Sequence, residues 1–81
     1  MKNLQFTKEA DEQLKKLDPK DKKEIVHKTG ELIENPELGK PLRYQWKDYR
    51  SLRIGVFRVI YFIRGENVMV TKIGHRKDVY D

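Results

Sequence analysis

The sequence contains no cysteine, which excludes disulfide bonds, thiolate nucleophiles and zinc sites built on thiolates. Small secreted domains usually depend on disulfides, so this absence favours the cytoplasm. No apolar stretch approaches the roughly 20 residues that a membrane helix needs, and the segment after Met1 has no apolar run of signal-peptide length. We therefore expect a cytoplasmic protein that does not enter a membrane.

Motifs for phosphate and metal binding are also missing. The sequence has no glycine-rich phosphate loop, and its two histidines, His27 and His75, are far apart. Most carboxylates alternate with lysines along segments of helical periodicity, as Asp11 and Lys15 do, so they are expected to form surface ion pairs. We therefore expect no metal ion and no other cofactor.

A chain of 81 residues is expected to form a single domain, residues 1–81. Apolar residues make up 37% and charged residues 38% of the sequence, a balance that approaches that of disordered chains. The apolar residues are nevertheless periodic, and the chain has four tyrosines, three phenylalanines and a tryptophan. These features predict a folded domain with a small core and a heavily charged surface.

Charge is distributed unequally along the chain. Residues 1–39 carry eight lysines against nine acidic residues, a net charge of −1, whereas residues 40–81 carry four lysines and six arginines against four acidic residues, a net charge of +6. Arginine stays charged at physiological pH and binds phosphate with a planar pair of donors. The second half is therefore expected to contact a polyanion, with nucleic acid as the first candidate.

Two helices are predicted in the first half, after a short strand at Leu4–Phe6. Thr7 is placed to cap the first helix, and Asp18-Pro19 is a strong start for the second, which is predicted to reach about Glu34. The inward face of this second helix is predicted from helical spacing to contain Ile25, Thr29, Leu32 and Ile33, with Val26 beside them. The very short turn between the helices predicts a helical hairpin.

Three strands are predicted in the second half, after a loop from Glu37 to Asp48. They are Tyr49–Gly55, Phe57–Ile63 and Val68–Ile73, with tight turns at Gly55-Val56 and Arg64–Asn67. In the first of them, Leu52 and Ile54 are expected on one face and Ser51 and Arg53 on the other. Since short connections favour antiparallel neighbours, the expected fold is α+β, in the order β-α-α-β-β-β. The helical hairpin is expected to pack on one face of a mostly antiparallel four-stranded sheet.

Basic side chains are concentrated on or beside these strands: Arg50, Arg53, Arg58, Arg64, Lys72, Arg76 and Lys77. Lysine and arginine also protect exposed sheet edges, so charge alone leaves two interpretations open, protected edges or a phosphate-binding face. Aromatic residues near the preceding loop are similarly undecided, since Tyr44, Trp46 and Tyr49 can anchor the loop or contact a partner.

Two segments carry a recognisable pattern. The first is the alternating strand from Tyr49, followed by Gly55 and by Phe57-Arg58-Val59-Ile60-Tyr61, and the second is Gly74-His75-Arg76 followed by Val79-Tyr80. With the Gly39-Lys40-Pro41-Leu42 element, the helical hairpin and the chain length, they resemble the RelE/ParE superfamily of toxins from toxin–antitoxin systems, over nearly the whole chain. The resemblance implies a RelE-like fold.

The RelE branch of that superfamily implies a ribosome-dependent endoribonuclease that cuts mRNA in the A site, with basic residues and a tyrosine in place of a His/Glu pair. The matching catalytic positions are Arg53, Arg58, Arg76 and Tyr80. When the ribose 2′-hydroxyl attacks the adjacent phosphate, negative charge develops on the phosphate oxygens, and we expect Arg58 and Arg76 to stabilise it. Arg53 is expected to position the phosphate, and Tyr80 to orient the nucleophile or stack on a base.

Further RNA contacts are expected from Lys47, Arg50, His75 and Lys77. Ser51 departs from the resembled pattern, because a basic residue usually stands there; Arg50 or Lys47 can substitute for it. Two alternatives stay open: a ParE-like inhibitor of DNA gyrase without nuclease activity, which shares the fold and the basic sheet, and a catalytically weak relative, which Ser51 suggests. As a toxin, the chain is expected to form a hetero-oligomer with a cognate RelB-like antitoxin, and as a nuclease also to bind the ribosome and mRNA.

Overall fold

Both helices pack on one face of a single sheet that combines the N-terminal strand with the strands of the second half. The structure is a computed structural model and describes residues 2–75 and residue 77. The strands are β1, Asn3–Phe6; β2, Lys40–Pro41; β3, Tyr49–Ile54; β4, Phe57–Arg64; and β5, Asn67–His75. The helices are α1, Lys8–Lys15, and α2, Pro19–Gly30, and 3₁₀ turns span Glu31–Ile33 and Tyr44–Trp46.

The sheet has the order β1-β5-β4-β3-β2. Only the pairing of β1 with β5 is parallel among the described strands; the others are antiparallel. The predicted α+β fold with two helices on a mostly antiparallel sheet is confirmed, except that the sheet has five strands rather than four. The additional strand, β2, has two residues, too few to show a periodicity, and Pro41 suits an edge strand because it donates no hydrogen bond.

The helix boundaries follow local sequence signals. The Thr7 hydroxyl accepts a hydrogen bond from the Ala10 N–H at 3.2 Å, which confirms the predicted cap of α1. Helix α2 starts at Pro19 as predicted, although the Asp18 side chain makes no capping hydrogen bond. The α-helix ends at Gly30 rather than near Glu34, and a 3₁₀ turn follows, because glycine is a weak helix former and helix ends often tighten.

The two β-hairpins have two-residue loops that fix their registers. Gly55 and Gly65 occupy the first loop position with φ angles of +60° and +57°, in the left-handed region that glycine tolerates and type II′ turns require. Ile54 consequently pairs with Phe57 across the β3–β4 turn. Both predicted turns are confirmed, and they determine which side chains lie opposite one another on the sheet.

The hydrophobic core lies between the helices and the sheet. It consists of Ala10, Ile25, Leu32, Ile54, Val59, Tyr61, Val68, Val70 and Ile73, with seven partly buried apolar residues packed against it. Ile25, Thr29 and Leu32 of the predicted inward face are buried, whereas Val26 is 51% exposed and points away from the core. None of the helices in the described part of the chain is long and apolar enough to cross a membrane.

A buried tyrosine fastens the loop after α2 to the sheet. The Tyr61 hydroxyl donates a hydrogen bond to the Pro36 carbonyl at 2.7 Å and accepts one from the Gly39 N–H at 2.8 Å. Arg50 Nη1 donates to the carbonyls of Gly39 and Glu37, at 2.7 and 3.2 Å. Burial raises the pKa of Tyr61, against the lowering effect of the Gly39 N–H. These contacts hold the segment that carries β2 beside β3.

Candidate nucleic-acid interface

The sheet face turned away from the helices, which we call the open face, carries a set of basic and aromatic side chains. Because side chains alternate along a strand and Ile54, Val59 and Tyr61 belong to the helix-side core, the intervening positions point to the open face. Along β3, β4 and β5 the side chains of the open face are Tyr49, Ser51, Arg53, Arg58, Ile60, Phe62, Arg64, Met69 and Lys72.

Arg53 and Arg58 lie directly opposite each other on the open face. They are cross-strand partners in the β3–β4 hairpin, and the partner of Arg58 on β5 is Gly74, which has no side chain. Like charges at directly paired positions destabilise a sheet. Within residues 2–75 and 77, neither arginine forms an ion pair with a carboxylate. The hairpin therefore presents two positive charges together, and no side chain of β5 stands directly opposite Arg58.

A serine on the neighbouring strand orients one of these arginines. Arg58 Nη1 donates a hydrogen bond to the Ser51 hydroxyl at 3.1 Å, and Ser51 is only 3% exposed. The bond uses one of the five N–H donors of the guanidinium, and the Arg58 side chain makes no other hydrogen bond to the part of the chain that the structure describes. Ser51 occupies the position where the resembled pattern has a basic residue. Its hydroxyl therefore orients the positively charged side chain of a residue on β4.

The centre of the open face has an apolar floor. Ile60 is fully buried, although neither α1 nor α2 packs on this side of the sheet. Its cross-strand partners are Ser51 and Lys72, and Arg58 lies two residues before it on the same face. Long basic side chains commonly cover apolar surface with their stems while their charged ends stay in water. Such a floor lowers the local dielectric and strengthens the attraction of the nearby guanidiniums for an anion.

The structure brings only part of the predicted site together. Arg50 shares the helix-side face with Leu52 and Ile54 and donates hydrogen bonds to the carbonyls of Gly39 and Glu37. It therefore lies on the opposite face of β3 from Arg53, and its contact with RNA stays a prediction. The side of the sheet on which Arg50 lies could have been predicted from the sequence. Side chains alternate along β3, so residue 50 points to the same face as residues 52 and 54.

The remaining predicted residues lie at the margins of the open face or beyond it. His75 pairs with Phe57 on the helix-side face, where their ring centroids are 6.4 Å apart. Lys47 is exposed at the end of the second 3₁₀ turn, and Lys77 is exposed after β5. Arg76 and Tyr80 lie outside the described residues. Within the described chain no three histidine or acidic side chains approach closely enough to hold a metal ion.

A second cluster, which we call the aromatic end, lies where β3 begins and β4 ends. It contains Trp46, Tyr49, Phe62 and Arg64. The ring centroids of Trp46 and Tyr49 are 5.6 Å apart and those of Tyr49 and Phe62 are 5.5 Å apart, both nearly perpendicular. The Arg64 guanidinium lies 5.4 Å from the centre of the Phe62 ring. From the sequence, Trp46 and Tyr49 could either anchor the loop or contact a partner. The register of the β3–β4 hairpin could have predicted the pairing of Tyr49 with Phe62.

Comparisons with known proteins identify relatives across almost the whole chain. The model of a family described as the ParE toxin of type II toxin–antitoxin systems, parDE, matches residues 4–80. Toxin RelG of Mycobacterium tuberculosis is 35% identical, over 95% of this chain and 93% of the relative. The toxin–antitoxin complex RelBE2 of M. tuberculosis contains a chain with a TM-score of 0.85 and 32% identity, over 95% of this chain and 93% of that one.

A more distant structure has the same fold. A chain of the intact E. coli RelBE toxin–antitoxin complex superimposes with a TM-score of 0.79 at 20% identity, over 93% of this chain and 96% of that one. The arrangement of two helices on one face of a mostly antiparallel sheet is therefore shared at low sequence identity.

Proposed function

This chain belongs to the RelE/ParE family of toxins from type II toxin–antitoxin systems, and on that basis we propose that it is a ribosome-dependent endoribonuclease that cuts mRNA in the A site. The single observation that carries the proposal is the pairing of Arg53 with Arg58 on the open face. The Ser51 hydroxyl holds Arg58, and no acidic partner within the described chain neutralises either charge.

The proposed chemistry is an attack of the ribose 2′-hydroxyl on the adjacent phosphate. The oxygen–phosphorus bond to the 2′-oxygen forms, the bond to the 5′-oxygen of the next nucleotide breaks, and the products are a 2′,3′-cyclic phosphate and a free 5′-hydroxyl. Negative charge accumulates on the non-bridging oxygens, so guanidiniums fixed beforehand stabilise the transition state more than the ground state. We assign this role to Arg58 and the positioning of the phosphate to Arg53.

Two further groups complete the proposal from the family pattern. Arg76 is proposed to share the stabilisation of the phosphate with Arg58, and Tyr80 to orient the 2′-hydroxyl or stack on a base. An arginine is a poor general base because its pKa is very high, so the proposed roles of the arginines are electrostatic. The ribosome is proposed to hold the mRNA in the geometry that the attack requires, and such positioning accelerates the reaction.

The proposed partner is an antitoxin, as in the M. tuberculosis complex of toxin and antitoxin. An antitoxin that covers the open face has to compensate the charges of Arg53 and Arg58, so we propose that it presents acidic residues there. Association of complementary charged surfaces is accelerated at low ionic strength. An association rate that does not change with salt concentration would contradict this charge complementarity.

Inhibition of DNA gyrase is the second candidate function, because the family model that matches residues 4–80 is that of ParE toxins. Both candidates use the same fold and a basic surface. They differ in the target, which is a translating ribosome for one and a topoisomerase for the other, and therefore in the assay that responds.

Mapping of mRNA 5′ ends in a translation extract tests the proposal. New 5′-hydroxyl ends should appear within translated codons when the protein is added, and an untranslated copy of the same mRNA should stay intact. Supercoiling by gyrase, measured with the same preparation, should not change. Intact mRNA together with inhibited supercoiling would replace the proposed nuclease with the gyrase inhibitor.

A further inference from the structure

The aromatic end forms a pocket on the same sheet as the paired arginines. Tyr49 and Phe62 are direct cross-strand partners, and their perpendicular rings are joined to Trp46 by a second edge-to-face contact. Such contacts hold the rings in defined orientations. The cavity measures about 410 Å³ and is lined by Asp48, Tyr49, Phe62, Ile63 and Arg64. This volume lies within the range of about 300–1,000 Å³ that is usual for ligand pockets.

The lining combines the groups that bind unpaired nucleic acid. Aromatic faces stack on bases, and arginine adds charge and cation–π contacts. Arg64 is exposed and its guanidinium is held against the Phe62 ring, so one charged donor stands at the wall of the pocket. Lys47 is exposed on the adjoining turn. Arg64 lines the pocket, and Lys47 directly precedes the lining residue Asp48 in the chain.

The position of the pocket relates it to Arg58. Phe62 and Arg64 follow Arg58 by four and six residues on β4, on the same face. At about 3.4 Å per residue, these positions lie about 14 and 20 Å from Arg58 along the strand. An RNA strand whose phosphate rests between Arg53 and Arg58 can reach the pocket within a few nucleotides while it remains on the open face.

We propose that this pocket binds one unpaired nucleobase of the RNA strand that the paired arginines hold, and that it selects a base with an exocyclic amino group. This inference rests on the proposed function and adds a base-recognition site to it. Selection comes from Asp48, whose carboxylate accepts hydrogen bonds and repels phosphate. A carboxylate can accept from the N4 amino group of cytosine, whereas uracil presents a carbonyl oxygen at that position.

Binding of two short RNAs tests the pocket without ribosomes or cleavage. Hexacytidine and hexauridine, each with a 5′ fluorophore, are titrated with the purified protein and the dissociation constants are measured by anisotropy. We expect hexacytidine to bind at least fivefold more tightly, the lower limit of discrimination by one well-formed base contact. The Asp48→Asn variant should reduce this ratio towards one, because an amide can donate to uracil and accept from cytosine.

A matched pair of phenylalanines separates stacking from general effects on the fold. Phe62→Leu should weaken binding of hexacytidine by about tenfold, as expected for the loss of one aromatic stacking partner. Phe57→Leu, on the same strand but on the helix-side face, should leave the affinity unchanged. Trp46 is the only tryptophan of the chain, so its emission should change on saturation with hexacytidine and reports occupancy at the aromatic end directly.

The outcomes distinguish the pocket from the nuclease. Equal affinities for the two RNAs, or unchanged binding by Phe62→Leu, would overturn the pocket even if the translation extract shows cut mRNA. A cytosine preference that depends on Asp48 and Phe62 would support the pocket even if no mRNA is cut, and the proposed nuclease alone would then fail. If Phe62→Leu binds RNA normally but loses affinity for the antitoxin, the pocket belongs to the antitoxin and the inference is overturned.

Discussion

The Ser51 hydroxyl accepts a hydrogen bond from Arg58 Nη1 at 3.1 Å, diagonally across the β3–β4 pairing. This contact gives a serine a role at a position where the family pattern has a basic residue. A short, buried hydroxyl cannot replace a second positive charge, but it can restrict the orientation of the charge that remains. Preorganisation of this kind is what makes a cation effective towards a developing negative charge.

Ser51→Ala is predicted to slow mRNA cleavage while the protein stays folded. Loss of a hydrogen bond to a charged group is worth about 1.5–3 kcal/mol, so the rate should fall by about tenfold or more. Single-turnover cleavage on programmed ribosomes measures the effect. Thr71→Ala is the control, because the Thr71 hydroxyl bonds to the Ile60 carbonyl at 3.3 Å instead of to Arg58. Equal cleavage rates for Ser51→Ala and the wild type would show that Ser51 does not orient Arg58 for catalysis.

Arg53→Ala is predicted to stabilise the free protein, because it removes a like charge directly opposite Arg58. The free energy of unfolding should rise by about 0.2–1 kcal/mol, and the gain should shrink as salt is added. Urea unfolding at low and high ionic strength measures both. Arg43→Ala removes an exposed arginine that lies outside the strands and should not stabilise the fold. If Arg53→Ala is instead less stable than the wild type, repulsion between the paired arginines does not destabilise the fold.

The sequence predicted those parts of the fold that depend on local rules. Thr7 as a cap and Gly65 as a turn residue follow from short-range chemistry, and the alternation of Leu52 with Arg53 follows from the pleat of a strand. The pairing of Arg53 with Arg58 could also have been derived, because the tight turn at Gly55-Val56 fixes the register.

Contacts between distant segments could not be predicted in this way. The hydrogen bonds from Arg50 to the loop depend on where that loop crosses the sheet. Strand β2 forms only because Lys40 and Pro41 are brought beside β3 by the loop that Tyr61 fastens. The orientation of Arg58 cannot be predicted without both the register of the hairpin and the rotamer of Ser51.

Tyr61→Phe is predicted to destabilise the fold by about 1–3 kcal/mol at neutral pH, because it leaves the buried Gly39 N–H without its acceptor. Burial raises the pKa of Tyr61 above its ordinary value of 10.0, so the unfolded chain releases this proton first. Stability from this source is fully present below pH 10 and is lost as the pH rises further. Urea unfolding between pH 7 and pH 11 should therefore show the difference between the two proteins narrowing above pH 10; a constant difference would contradict the pKa shift.

Gly39→Ala is predicted to destabilise the protein, because a Cβ at this position would lie 2.6 Å from the Tyr61 hydroxyl oxygen and 2.7 Å from Cε1 of the same ring. Overpacking of this kind costs about 1–3 kcal/mol. Gly30→Ala is the matched variant. It meets no atom within 4 Å and lies at the end of α2, so it should stabilise by up to about 1 kcal/mol. If thermal unfolding ranks the two variants in the opposite order, the packing of Tyr61 on Gly39 is incorrect.

The proposed function depends on Arg58 acting on RNA and Arg50 acting on the fold, and cleavage of mRNA on programmed ribosomes by the two alanine variants tests this most directly. Arg58→Ala should cut about 10²- to 10³-fold more slowly while it stays folded. Arg50→Ala should lose about 1–3 kcal/mol of stability with its hydrogen bonds to Glu37 and Gly39 and cut, while folded, at nearly the wild-type rate. Cleavage by Arg58→Ala at the wild-type rate, or equal loss of rate in both variants, would contradict the proposed site.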